Sequence, residues 1–469
     1  MAIPAQTIIP LIVACSLFME TLDSTIIATA LPTIARSLDE DPLRLNLAIT
    51  CYLLSLSIFI PLSGWMADRF GARTVFRAAI GVFMIGSIAC GISNSLWQFV
   101  AARMLQGMGG AMMSPVGRFV LLRTVPKSDL MRAMIVVTTP AMLGPVFGPP
   151  LGGLIVTYFS WRWIFFINVP AALIGIVLVT LFVENLRDKN IRPIDWPGFL
   201  MTGVGLSGLV FGFEIAGRGG LPGSVVSAII VVGALCLATY VWHAQRSAYP
   251  VIDLNLLKIQ TFRISLTGGT LTRLGIGALP FLLPLLLQLG FGYSPIVSGL
   301  LTFASAAGAL TMRLTATRII RTFGYRRTLV WNAALTSLTL AVNAIWRPST
   351  PLLLIFGVLL LGGFFRSLQF SAVNTLGYSD VPPALMSRAT PFASMAQQLA
   401  QSLGVGTGAL LLHLTLVLRH NAELGPTDFT YAFIGVGLIS LCAVPIFLQL
   451  SPLSGQAMIG PPRPAAAEE

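Results

Sequence analysis

Apolar stretches, each near the length a helix needs to cross a bilayer, recur along the whole chain. They run over residues 8–30, 47–66, 75–92, 97–121, 133–158, 163–183 and 196–216, then 225–242, 262–289, 295–315, 328–346, 352–375, 386–418 and 429–450. Short polar connections separate them. The pattern predicts an all-α polytopic membrane protein with fourteen transmembrane helices, and the even count puts both termini on one side. The first stretch is too long for a signal peptide, carries two acids and has no basic leader, so it is expected to stay in the mature chain. Residues 451–469, rich in Pro and Ala, read as a disordered cytoplasmic tail.

The polar positions inside these stretches carry the candidate chemistry. Glu20 and Asp23 interrupt the first stretch, where an ionised side chain costs roughly 2.5 to 3.5 kcal/mol on insertion scales, so intramembrane acids are candidates for binding protons, ions or substrate. Three residues apart on a helix, they share a face at about 5 to 6 Å between Cβ atoms and titrate as a coupled pair. Five arginines also fall inside spans: Arg103, Arg118, Arg273, Arg313 and Arg366. Arg118 and Arg313 lie near the cytoplasmic ends and can snorkel, whereas Arg273 and Arg366 fall midway. Three readings of that pair stay open. An arginine pairs with Asp23 or Glu20 in one state, or receives an anionic substrate, or is satisfied by backbone carbonyls as structure. Gln397, Gln398 and Gln401 either line a cavity or join helices by hydrogen bonds.

Composition agrees with a chain immersed in lipid: of 469 residues 55% are hydrophobic and only 10% charged, with mean hydropathy +0.84. The net charge of +12 does not point to nucleic acid, because the basic residues collect in alternate loops. With the N-terminus inside, 18 of the 29 lie on the cytoplasmic side, 6 opposite and 5 within spans. The positive-inside rule therefore places both termini in the cytoplasm.

Several function classes drop out. The five cysteines all lie within spans without CxxC spacing, and the three histidines form no HExxH, so no disulfide framework, metal site or hydrolytic centre is indicated. No GxxxxGK[ST] segment is present, and the loops are too short for a nucleotide-binding domain. A filter-like repeat for a channel and a GxSxG nucleophile for an enzyme are also missing. The expectation is a gradient-driven transporter with no cofactor, working in lipid on protons and a small-molecule substrate, as a monomer.

Three motifs sharpen this. GWMADRFGARTVFR after the second span brings Gly64, Asp68, Arg69, Gly71 and Arg73 to a cytoplasmic turn, a cluster suited to latching helices. RMLQGMGGAMMSP in the fourth span sets Arg103 about two turns inside the membrane, beside glycines that admit a neighbouring helix. GPVFGPPLGG in the fifth repeats Gly144, Gly148 and Gly152 every four residues, with Pro145, Pro149 and Pro150 to bend the helix. Such a helix suits a hinge or seal.

Taken in order, with LDSTIIATALP around Asp23, these segments resemble the major facilitator superfamily, and within it the fourteen-span drug:proton antiporter branch. RLGIGALPF at 273–281, FGYRR at 323–327 and NTL at 374–376 are similar to MdtD-type multidrug exporters. Matching positions are Gly64, Asp68, Arg69 and Gly71, then Arg103, Gln106 and Gly107, then Gly144, Gly148, Pro149, Gly152 and Gly153. Two departures stand out: Glu20 lies where an uncharged residue is expected, and the second-half echo of the loop motif has Arg321 in place of Asp, with Gly324 three residues on as Gly71 follows Asp68.

The resemblance implies the major facilitator fold: six-helix halves at 1–183 and 262–450, an inserted helix pair within 184–261, and alternating access around a central cavity. It implies proton-coupled efflux of amphipathic small molecules across a bacterial inner membrane, with export of an organic anion or metabolite as the alternative. Candidate proton-coupling residues are Asp23, Glu20 and Arg103; candidate cavity residues are Arg273, Arg366, Gln397 and Gln401.

Overall fold

The computed structural model describes residues 5–40, 42–187, 193–218, 222–293, 295–419 and 425–458, and among these all regular structure is helical. The helices are α1 (Ala5–Ser37), α2 (Pro42–Phe59), α3 (Ser63–Phe70), α4 (Ala72–Ile92), α5 (Leu96–Thr124), α6 (Leu130–Tyr158), α7 (Trp163–Phe166) and α8 (Asn168–Phe182). They continue as α9 (Trp196–Arg218), α10 (Gly223–Arg246), α11 (Gln260–Leu285), α12 (Pro295–Val342), α13 (Leu352–Leu376), α14 (Met386–Arg419), α15 (Pro426–Leu441) and α16 (Ala443–Leu448). Helical chain runs over each of the fourteen expected stretches. Among the described residues ten helices are long and apolar enough to cross a membrane. α5 is not one of them, because Arg103, Gln106, Arg118 and a run of glycines dilute its hydropathy.

Glycine sets two helix breaks that the sequence placed at matching loops. Gly71 separates α3 from α4 at φ +89°, and Gly324 interrupts α12 at φ +73°. Both values lie in the left-handed region that a Cβ disfavours. Gly324 thus parts the two helices expected at 295–315 and 328–346, as Gly71 parts α3 from α4.

The chain forms two compact units. Unit 1 comprises Met1–Thr124, Val136–Leu254 and Pro383–Leu399; unit 2 comprises Val125–Ile135, Asn255–Pro382 and Ala400–Glu469. Unit 1 has an apolar core from α1, α2, α4, α5, α6 and α7, in which the Phe99, Trp161 and Phe165 rings meet edge to face. Unit 2 is centred on α11, α12, α13 and α15, with Phe429 and Phe433 fully buried.

The inserted pair α9 and α10 belongs to unit 1, α9 lying along α2 with Phe199 beside Phe59. Asp195 starts α9 by accepting the Gly198 N–H at 3.0 Å, and sits 2.8 Å from His243 on α10. Hydropathy specified the lengths of these helices and not the faces they pack with. The first part of the expected disordered tail is ordered: the chain turns through Ser451–Met458, Gly455 lies against the Tyr325 ring, and Met458 is buried. Residues 459–469, Arg463 among them, and the loop basic residues Lys189 and Arg192 lie outside the described residues.

Candidate functional site

The buried centre of unit 1 is built around Asp23. Asp23 is 1% exposed, and its carboxylate takes bonds from three donors on two helices. Arg103 Nη1 on α5 donates to Oδ2 at 2.6 Å. Gln106 Nε2, one turn further along α5, donates to Oδ1 at 2.9 Å, and Asn168 Nδ2 at the start of α8 donates to the same oxygen at 3.0 Å. Ser87 Oγ on α4 accepts from Asn168 Nδ2 at 3.0 Å and donates to the Phe165 carbonyl at 2.9 Å. The Arg103 guanidinium, also fully buried, lies 4.2 Å from the Tyr52 ring centroid on α2. Five helices thus converge on one ion pair, and the other donors to the carboxylate offset part of what desolvating the pair costs.

The RMLQG segment explains the convergence. Arg103 and Gln106 are three apart and share one face of α5. A Cβ on Gly86 would fall 2.6 Å from the Gln106 backbone nitrogen, and one on Gly107 2.6 Å from the Tyr52 carbonyl, so these glycines are what let α4 and α2 reach α5. Glu20, one turn before Asp23 on α1, is half-buried; its Oε2 is buried and has no hydrogen-bond partner among the described residues. The charges that act on it are Asp23 and Arg118.

At the loop motif, Asp68 Oδ2 accepts the Ser387 hydroxyl at 2.9 Å. Ser387 lies in the first turn of α14, where a carboxylate also meets the positive end of the helix dipole. Gly64 lies so close to the Ser387 carbonyl that a Cβ would overlap it. Arg69 covers the Trp65 ring at 5.4 Å, and its carbonyl accepts from Arg187 Nη2 at 3.1 Å. Gly71 takes the turn beside Asn185, and Arg73 follows in the first turn of α4. A contact absent from the sequence reading joins the same helix start: Arg388 Nη1 donates to Asp253 Oδ2 at 3.1 Å, both side chains largely buried.

On α6, Gly144 and Gly148 lie against Thr21 and Thr25 of α1, and the Gly144 carbonyl accepts from Thr25 Oγ1 at 3.1 Å. Gly152 is buried, and the space beside Gly153 is open. Pro145 and Pro149 fall among side chains outside the described ones.

Unit 2 holds the two midway arginines. Arg273 Nη2 donates to Asn374 Oδ1 at 3.0 Å and lies 5.3 Å from the Phe370 ring centroid. Arg366 Nη2 donates to Ser305 Oγ at 2.5 Å. Asp23 takes its arginine, Arg103, from its own unit. Gln397 and Gln401 follow one another by a turn on α14; Gln397 Oε1 is buried without a partner among the described residues, and Gln401 is exposed.

The family model of the Major Facilitator Superfamily matches residues 13–405 and, again, 265–457. The chain belongs to the major facilitator superfamily. It is a multi-pass membrane transporter, not an enzyme. Among superfamily relatives, a protein of Pectobacterium carotovorum subsp. carotovorum (strain PC1) named "Putative multidrug resistance protein MdtD" is 39% identical over 442 residues, covering 93% of this chain and 94% of its own. One of the same name from Escherichia coli O6:H1 (strain CFT073) is 38% identical over 441 residues, covering 93% of each. Two solved superfamily structures share the fold. The human organic anion transporter MFSD10 has a TM-score of 0.68 at 16% identity, covering 95% of this chain and 100% of that one. The proton:xylose symporter XylE has 0.65 at 15%, covering 96% and 97%.

Sequence reasoning missed Asn168, Ser87 and Tyr52. Asn168 had a usable signal, being an amide inside an apolar span just before a proline. Ser87 and Tyr52 had none, since hydroxyls are common in membrane helices.

Proposed function

We propose that this transporter is a proton-coupled exporter of amphipathic small molecules that works by alternating access between two six-span halves, 1–183 and 262–450. In this reading fourteen helices cross a bacterial inner membrane, both termini are cytoplasmic, and the protein acts as a monomer. The observation that carries it is the buried Asp23–Arg103 pair with its Gln106 and Asn168 donors, next to a second carboxylate, Glu20. Proton gain in such a cluster changes the charge of a packed helix interface and so biases one arrangement over another. The relatives' names, which speak of multidrug resistance, support the substrate class.

The proton gradient is the energy source: one charge moved through 100 mV supplies about 2.3 kcal/mol, which sustains roughly a fiftyfold concentration ratio. Asp68 and its motif neighbours act as a latch on α14, and the α6 glycines as the hinge against α1. Arg273, Arg366, Gln397 and Gln401 line the substrate cavity. A second reading, export of an organic anion, is favoured by Arg273 and Arg366, two arginines midway along helices of unit 2.

Substrate-triggered proton movement in proteoliposomes tests this. Wild type should release protons when challenged with lipophilic cations, and Asp23→Asn should abolish the coupling. Movement driven by organic anions and lost in Arg273→Gln selects the second reading; substrate flux without protons in the wild type refutes coupling.

A further inference from the structure

We propose that Glu20 is the group that takes up and releases the transported proton, while Asp23 stays ionised as a fixed strut; the assignment rests on the coupled-antiport reading above. The two acids sit one turn apart on α1 in opposite situations. Both oxygens of Asp23 are filled by N–H donors, from Arg103, Gln106 and Asn168. A proton on either oxygen would face a donor with a donor and leave a fully buried guanidinium without its anion. That network holds four helices together, so breaking it once per transport cycle would loosen the packing of unit 1 each time.

Glu20 has no such set of donors to displace. Its side chain is half-buried and Oε2 accepts nothing among the described residues, so a proton placed there displaces no hydrogen bond. Its charged and titratable neighbours are Asp23 on α1, Tyr52 on α2 and Arg118 on α5. Arg103 lies across the Tyr52 ring. α6 meets this part of α1 through Gly144 and Gly148 against threonine hydroxyls, and α8 presents the neutral Asn168. Arg118 is buried, with Nη1 lacking a hydrogen-bond partner among the described residues.

Two states follow from that arrangement. Ionised Glu20 is drawn to Arg118 and the pair is neutral. When the carboxylate takes a proton from water on the open side, Arg118 loses its counter-charge and the α1–α5 contact carries one net positive charge; returning the proton to water on the other side restores the pair. A cationic substrate near the same carboxylate competes with the proton, which is the exclusion that antiport requires.

The full-length protein in proteoliposomes, with ethidium as substrate probe and a trapped pH dye, is compared as wild type, Glu20→Gln, Glu20→Asp and Asp23→Asn. Glu20→Gln should abolish ethidium-linked proton movement, and the pH dependence of ethidium transport should flatten. Glu20→Asp should keep coupling with a displaced pH profile. In parallel, pH-difference infrared spectra of the detergent-solubilised protein should show a carboxylic-acid carbonyl band in the wild type that Glu20→Gln removes. The infrared result needs no substrate and no Asp23 variant that folds. Retention of that band, or of ethidium-linked proton movement, in Glu20→Gln overturns the assignment. A wild type that shows the band yet moves ethidium without protons instead removes the antiport reading and leaves Glu20 as a proton-binding site.

Discussion

At the scale of single residues, the Asp23 cluster shows how a costly charge is kept in a membrane helix. The carboxylate is bearable because a guanidinium and two amides fill its lone pairs, and each amide has a second duty on Ser87. Asn168→Leu should therefore cost more than its own contact, since Asp23 Oδ1 and Ser87 Oγ both lose a buried donor; a penalty of about 1–3 kcal/mol is expected. Thermal unfolding of the solubilised protein checks this, with Asn168→Gln as the variant that keeps the amide and should recover part of the loss. Asp23, Arg103 and Gln106 were legible in the sequence because a charge or an amide in an apolar run is conspicuous and its helical spacing fixes its face. Asn168 was harder to see, because which face of α8 meets α1 depends on packing that no local pattern encodes.

At the scale of elements, two acids from different segments hold the start of α14: Asp68, from the loop motif, and Asp253, from the chain that follows the inserted pair. Asp68 was readable through its motif. Asp253 and Arg388 were not, because they lie far apart in sequence and each looks like an ordinary loop charge. The Asp253–Arg388 pair is largely sheltered, so it is expected to exceed the 0–1 kcal/mol typical of exposed pairs. Asp253→Arg and Arg388→Asp should each slow transport, and the double reversal should restore it, with a coupling energy of about 0.5–3 kcal/mol in the mutant cycle. Additive losses in the double variant would show that the contact is incidental. The inserted helices would then have no link to α14 through this pair.

At the scale of the whole molecule, hydropathy revealed nearly every helix and misjudged those richest in chemistry. α5 bears Arg103, Gln106 and Arg118, and for that reason it reads as one of the weaker membrane spans. Topology is thus better tested by labelling than by apolarity. The charge asymmetry, 18 basic residues against 6, fixes the expected orientation. All five native cysteines fall within helical chain or at a helix boundary, so they are replaced first. Single cysteines at Asn94, Pro222 and Thr350 should then react with an impermeant maleimide in intact cells, whereas those at Ser128 and Ser454 should react only after permeabilisation. Pro222 is the decisive position. It precedes α10, and its labelling from outside requires α9 and α10 both to cross, giving fourteen spans. Protection at Pro222 with labelling at Asn94 and Thr350 would leave twelve crossings and put the inserted pair on the cytoplasmic face.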